Sequence, residues 1–127
     1  MKRQFLRQNA PFIVAFALLT LTACTSSKVR REVAYPALSA LWQDVRVYAA
    51  DGGATEHQVN GFTAALEAQD TPAVTLGWPV LEGAAYAGID ANAQRSPTYW
   101  HEGMIGTARE NVKRMSALVD RLERRPR

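Results

Sequence analysis

Residues 105–122 read IGTARENVKRMSALVDRL, and within them Ile105, Ala108, Val112, Met115, Val119 and Leu122 recur at alternating steps of three and four. That spacing draws one apolar seam along a helix, the a and d positions of a heptad. Glu110 stands four residues before Arg114 and Asp120 four before Arg124. This is the orientation in which an acid and a base on one helix face add a few tenths of a kcal/mol per pair. The start of the helix has two candidates: a cap at Thr107–Glu110, or Ser96-Pro97 further back, with Gly103 and Gly106 favouring a break between them. The same seam suits a coiled coil with a second chain. In that register the flanking g–e pairs are Asn111 with Ser116 and Leu118 with Glu123. Neither is an ion pair of the kind that steers pairing, and Leu118 widens the stripe as packing inside a bundle requires. The expectation is therefore packing within the domain and a monomer, with a homo-oligomer through the C-terminal heptad as the alternative.

Working back along the chain, a third helix is expected from Pro79 to about Ala91, presenting Val80, Leu81, Ala84, Ala85 and Ile89. Gly83, Ala84, Ala87 and Gly88 are small enough for a neighbouring helix to approach closely. Trp78-Pro79 is read as a helix stop, because the residue before proline avoids the helical region. Ala73–Leu76 is too short to separate a strand from a buried turn. Thr55-Glu56-His57-Gln58 fits a capping box and opens a helix with Val59, Phe62 and Leu66 on its apolar face; Gly61 weakens it by about 1 kcal/mol relative to Ala. Before it, Leu38, Leu41, Trp42, Val45 and Tyr48 form another stripe, with Pro36 suited to the first turn. Asp51-Gly52-Gly53 provides the stop. The fold class is thus all-α, a small bundle of about four helices spanning residues 35–124 as a single domain, with 125–127 a basic tail.

Ahead of the bundle lie a basic start (Lys2, Arg3, Arg7) and an apolar run from Pro11 to Ala23, ending in Leu21-Thr22-Ala23-Cys24. The run is shorter than the roughly 17–25 residues of a membrane-spanning helix and reads as an export signal. Cys24 is the only cysteine. The four residues resemble the lipobox of bacterial lipoproteins: Leu, then Ser/Thr/Ala, then Gly/Ala, then Cys. The resemblance covers residues 1–24 and implies that the Cys24 thiol takes a diacylglycerol through a thioether. It further implies that residues 1–23 are removed and that the new amine is acylated, with palmitate among the acyl groups. A thiolate is the side chain nucleophilic enough for that transfer. Two or three acyl chains anchor stably where one is marginal, at about 0.8 kcal/mol per buried methylene. Residues 24–34 then form the lipidated N-terminus and a polar tether. Thr25 stands where aspartate is the usual inner-membrane retention signal, so the resemblance places the protein on the periplasmic face of the outer membrane rather than on the inner membrane.

The precursor carries a net charge of +3, but three of its 15 Lys/Arg precede Cys24, leaving 12 basic against 12 acidic residues in the mature chain. A neutral exported domain is a poor match to nucleic acid. The charges are nevertheless segregated. Lys28, Arg30 and Arg31 lie beside the anchor, a cluster that suits anionic lipid head groups or a solvated tether. Arg109–Arg127 holds seven basic against three acidic residues.

The chemistry-bearing residues are few. His57 and His101 lack a partner histidine at ligand spacing, and there is no HExxH, EF-hand loop or cysteine pair. No serine lies in a G-x-S-x-G elbow; Ser39 and Ser116 read as polar filler on amphipathic helices. No cofactor is expected, and the chain is not expected to be an enzyme. The densest segment is Tyr99-Trp100-His101-Glu102, with Trp78 as a companion. Aromatic faces beside a carboxylate suit a glycan such as peptidoglycan, while aromatic residues also fill small cores. The leading expectation is a lipid-anchored, non-catalytic helical module touching an envelope protein. The alternatives are a phage-encoded envelope lipoprotein acting in superinfection exclusion or lysis, and a non-covalent peptidoglycan binder. Covalent tethering in the manner of murein lipoprotein lacks the terminal lysine, since the chain ends Arg125-Pro126-Arg127.

Overall fold

The computed structural model describes residues 26–95 and 99–123, and they form four α-helices: α1 (Ser26–Asp51), α2 (Glu56–Glu67), α3 (Thr71–Arg95) and α4 (Tyr99–Glu123). The export signal, Cys24 and the basic tail 125–127 lie outside the described residues. The helices alternate in direction. α1 and α3 run parallel as a central pair, with α2 and α4 each packed against both of them; α2 and α4 do not meet among the described residues.

The apolar seam of α4 faces its own bundle. Ile105, Ala108, Val112, Met115 and Val119 are buried and Leu122 packs at the margin. The residues weighed as a seam for a second chain are therefore spent against α1 and α3. No break occurs at Gly103 or Gly106. The helix runs through both from Tyr99, because they are exposed and the backbone ladder continues without needing a side chain there.

Two helices are longer than their prolines suggested. α1 begins at Ser26, so Pro36 sits inside it and the stretch expected as a tether is helical. α3 begins at Thr71 and continues past Trp78-Pro79 to Arg95. An internal proline removes one backbone donor and crowds the carbonyl four residues earlier. Pro36 and Pro79 are both on the solvent side; of the residues four before them, Glu32 is exposed and Thr75 half-buried. Burial on the opposite face of each helix outweighs the lost bond. The α3 start is set by Asp70, whose Oδ1 accepts from the Ala73 N–H at 3.3 Å.

The α1–α2 hairpin follows the sequence closely. Gly53 takes φ +102°, with Ala54 N–H donating to Ala49 O and Gly53 N–H to Ala50 O, a Schellman closure. Thr55 then caps α2: its Oγ1 accepts from Gln58 N–H at 3.1 Å while Gln58 Oε1 accepts from Thr55 N–H at 2.9 Å. The α2 end repeats the Schellman closure without glycine, placing Gln69 at φ 52°.

The core is built in layers. Tyr35 OH meets Thr71 Oγ1 at 2.6 Å at one end. In the middle, Trp42, Phe62 and Trp78 pack edge-on and tilted across three helices, with ring centroids 4.7 and 5.8 Å apart. At the far end the backbones of α1 and α3 touch. A Cβ on Gly88 would fall inside the Tyr48 carbonyl, and one on Gly52 inside that of Ala84. Of the four small residues expected to admit a neighbour, Ala84 and Gly88 do so, while Gly83 and Ala87 face solvent.

Candidate functional site

The aromatic surface expected around Trp78, Tyr99, Trp100, His101 and Glu102 is not assembled around Trp78. Trp78 is 4% exposed, and its Nε1–H donates to Ser116 Oγ at 3.0 Å. Ser116 is fourteen residues along α4 from Glu102, about 21 Å of helix. Trp78 is thus a core residue whose polar tip is satisfied inside the bundle, the usual requirement for a buried indole. Glu102 is exposed at the start of α4; the side chains of Tyr99, Trp100 and His101 lie outside the described part. His57 is exposed in the first turn of α2.

Ser116, read as polar filler, proves to be a junction between α3 and α4. Its oxygen accepts the Trp78 indole N–H and its hydroxyl donates to Glu82 Oε2. Both hydrogen-bonding roles of the serine are therefore taken, and no imidazole stands between it and the carboxylate. Tyr86, one turn along, has its phenol pushed above the ordinary value of 10 by burial first, then by the negative charges of Glu82 and Glu110. A similar junction joins α1 to α2: Trp42 Nε1–H donates to Thr63 Oγ1 at 2.8 Å, and the Thr63 hydroxyl donates to Val59 O. These contacts fix helix register and leave no polar side-chain atom buried without a partner among the described residues.

Exposed apolar side chains line grooves between the helices. A groove of about 350 Å³ runs between α2 and α3, floored by Phe62, Ala65 and Leu81 and rimmed by His57, Leu76 and Val80. Leu76 is 83% exposed and Val80 58%. Val80, expected on the core face of the third helix, therefore lies on the open side. A second groove of about 600 Å³ runs between α1 and α4, lined by Asp44, Val47, Tyr48, Met104, Thr107 and Asn111 among others. Val47 and Met104 are each half or more exposed there. Among the described residues no group of three or more His, Cys, Asp or Glu is arranged to hold a metal ion. None of their helices is long and apolar enough to cross a membrane.

No protein family, curated protein sequence or solved structure matches this chain.

Proposed function

We propose that this chain is a lipid-anchored envelope protein, held through Cys24 on the periplasmic side of the outer membrane, whose bundle is a non-catalytic interaction module. The observation that carries the reading is Leu21-Thr22-Ala23-Cys24 behind a basic start and a short apolar run, with Cys24 the sole cysteine. None of the bundle's described helices is long and apolar enough to cross a membrane. Four of the five large exposed apolar side chains among its described residues, Leu76 and Val80 on one side and Val47 and Met104 on another, gather at grooves, while Val33 stands apart; grouped apolar surface supports contact with a partner.

Growth with an alkyne-tagged palmitate tests the anchor. The natural chain takes the label and fractionates with outer membranes, whereas Cys24→Ser takes none and leaves that fraction. A natural chain without label contradicts the reading. Photo-crosslinking residues placed at 76 and 104 test the module: a discrete adduct with one envelope protein is expected, and no adduct from either position contradicts it.

A further inference from the structure

α3 carries two apolar seams. Val74, Trp78, Leu81, Ala85 and Ile89 are buried against the other helices. On the opposite side Ala73, Leu76, Val80, Gly83 and Ala87 recur at alternating steps of three and four, the spacing of a heptad seam. Leu76 and Val80 are the most exposed apolar side chains there, and Gly83 and Ala87 face solvent. Every exposed residue of α3 from Pro72 to Ala87 is uncharged. The three charged residues of α3 are engaged elsewhere: Glu82 by Ser116, Asp90 by Arg109 at 3.1 Å, and Arg95 by Asn92. On the α2 side the groove wall is His57, Gln58 and Gly61, while Glu56, Glu67 and Asp70 take no part in it.

A helix that is apolar all round is one that is buried on all sides, and here the front of α3 is open. The seam from Ala73 to Ala87 is about 21 Å long and one helix, about 10 Å, wide. It takes a helix, and its own sequence supplies a matching one. When two copies lie antiparallel, Leu76 of each meets Ala87 of the other, and Val80 meets Gly83. All four layers then join one large side chain to one small one. The space over Gly83, where no atom lies within 4 Å of a new Cβ, is filled by valine. A parallel pairing sets Leu76 on Leu76 and leaves Gly83 facing Gly83 across a gap. We infer that α3 pairs antiparallel with α3 of a second copy of this chain through this seam. The inference rests on the reading of the bundle as an interaction module and names the partner of its α2–α3 side. With the α2 wall included, the flat contact is about 400 Å², against about 800 Å² per partner in a standard stable complex, so the pair is weak and reversible. Antiparallel α3 helices set the two α1 N-termini at opposite ends. A pair anchored in one leaflet therefore lies with its helices along the bilayer.

Two full-length copies carrying different tags are expressed together, one with a photo-crosslinking residue at position 76. Irradiation of intact cells is expected to give a product bearing both tags, joined near Ala87 of the other copy. Gly83→Lys in both copies is expected to lower that product at least about tenfold, because it buries an unpaired charge in the seam. Position 83 is exposed and open, so this variant should unfold at no lower temperature than the natural chain. The site of attachment reads the register without any variant. A product joined at residue 76 of the other copy, or one that persists undiminished in Gly83→Lys, overturns the antiparallel pair. So does an adduct from position 76 with a different protein alone, which leaves the interaction module standing. No adduct from either 76 or 104 removes the module and the pair together.

Discussion

Gly83 and Gly88 sit five residues apart in α3 and face opposite surroundings. A methyl group at position 88 collides with the Tyr48 backbone, which no side-chain rotation relieves, whereas position 83 has no atom within 4 Å of a new Cβ. Gly88→Ala should force α1 and α3 apart and cost about 2–3 kcal/mol or more. Gly83→Ala should stabilise by about 0.5–1 kcal/mol by removing backbone freedom from the unfolded chain. Urea midpoints of the two variants should move in opposite directions; a shared direction contradicts the close approach. Gln69 gives a second test, because its φ of 52° strains a residue with a Cβ. Gln69→Gly should raise stability by about 1 kcal/mol. The small residues of α3 were visible in the sequence, but Gly83 and Gly88 look alike there, and which one touches a neighbour depends on the helix register against α1.

At the scale of elements, α4 and the α1–α2 hairpin were legible because local rules and tertiary packing agree in them. The seam from Ile105 to Leu122 is unbroken, Gly53 supplies the left-handed cap, and Thr55 with Gln58 closes the box. α3 was legible only from Pro79 onward. Val74, Trp78, Leu81, Ala85 and Ile89 are all buried at helical spacing, and Asp70-Thr71-Pro72 is a sound N-terminus, but Pro79 argued against continuity. The proline rule describes a local cost, and the buried face of a 25-residue helix outweighs it. Pro79→Ala restores the missing donor at an exposed position and should stabilise by about 1–3 kcal/mol; a loss of stability on thermal unfolding contradicts a helix continuous through residue 79. The α3–α4 junction was invisible in the sequence, since Ser116 and Glu82 are 34 residues apart. Ser116→Ala leaves both the Glu82 carboxylate and the Trp78 indole without their partner and should cost about 1–3 kcal/mol. An unchanged denaturation midpoint contradicts the junction.

For the whole molecule, parallel α1 and α3 flanked by α2 and α4 leave apolar grooves open between α2 and α3 and between α1 and α4. The candidate aromatic site was legible only as composition. Trp78 and Glu102 look like companions because both accompany aromatic residues in a small domain, yet the antiparallel return of α4 sets Trp78 beside Ser116 instead. Leu76 and Val80, the most exposed apolar pair on α3, carry no sequence mark that separates them from core residues. The address proposed for Leu21–Cys24 depends on chemistry at one sulfur atom and needs no fold to be read. Intact mass analysis of the N-terminal peptide isolated from membranes tests it most directly. The account predicts a chain that begins at residue 24, with a diacylglyceryl thioether on Cys24 and an acyl group on its amine. A chain that retains residues 1–23, or one whose Cys24 carries a free thiol, contradicts it.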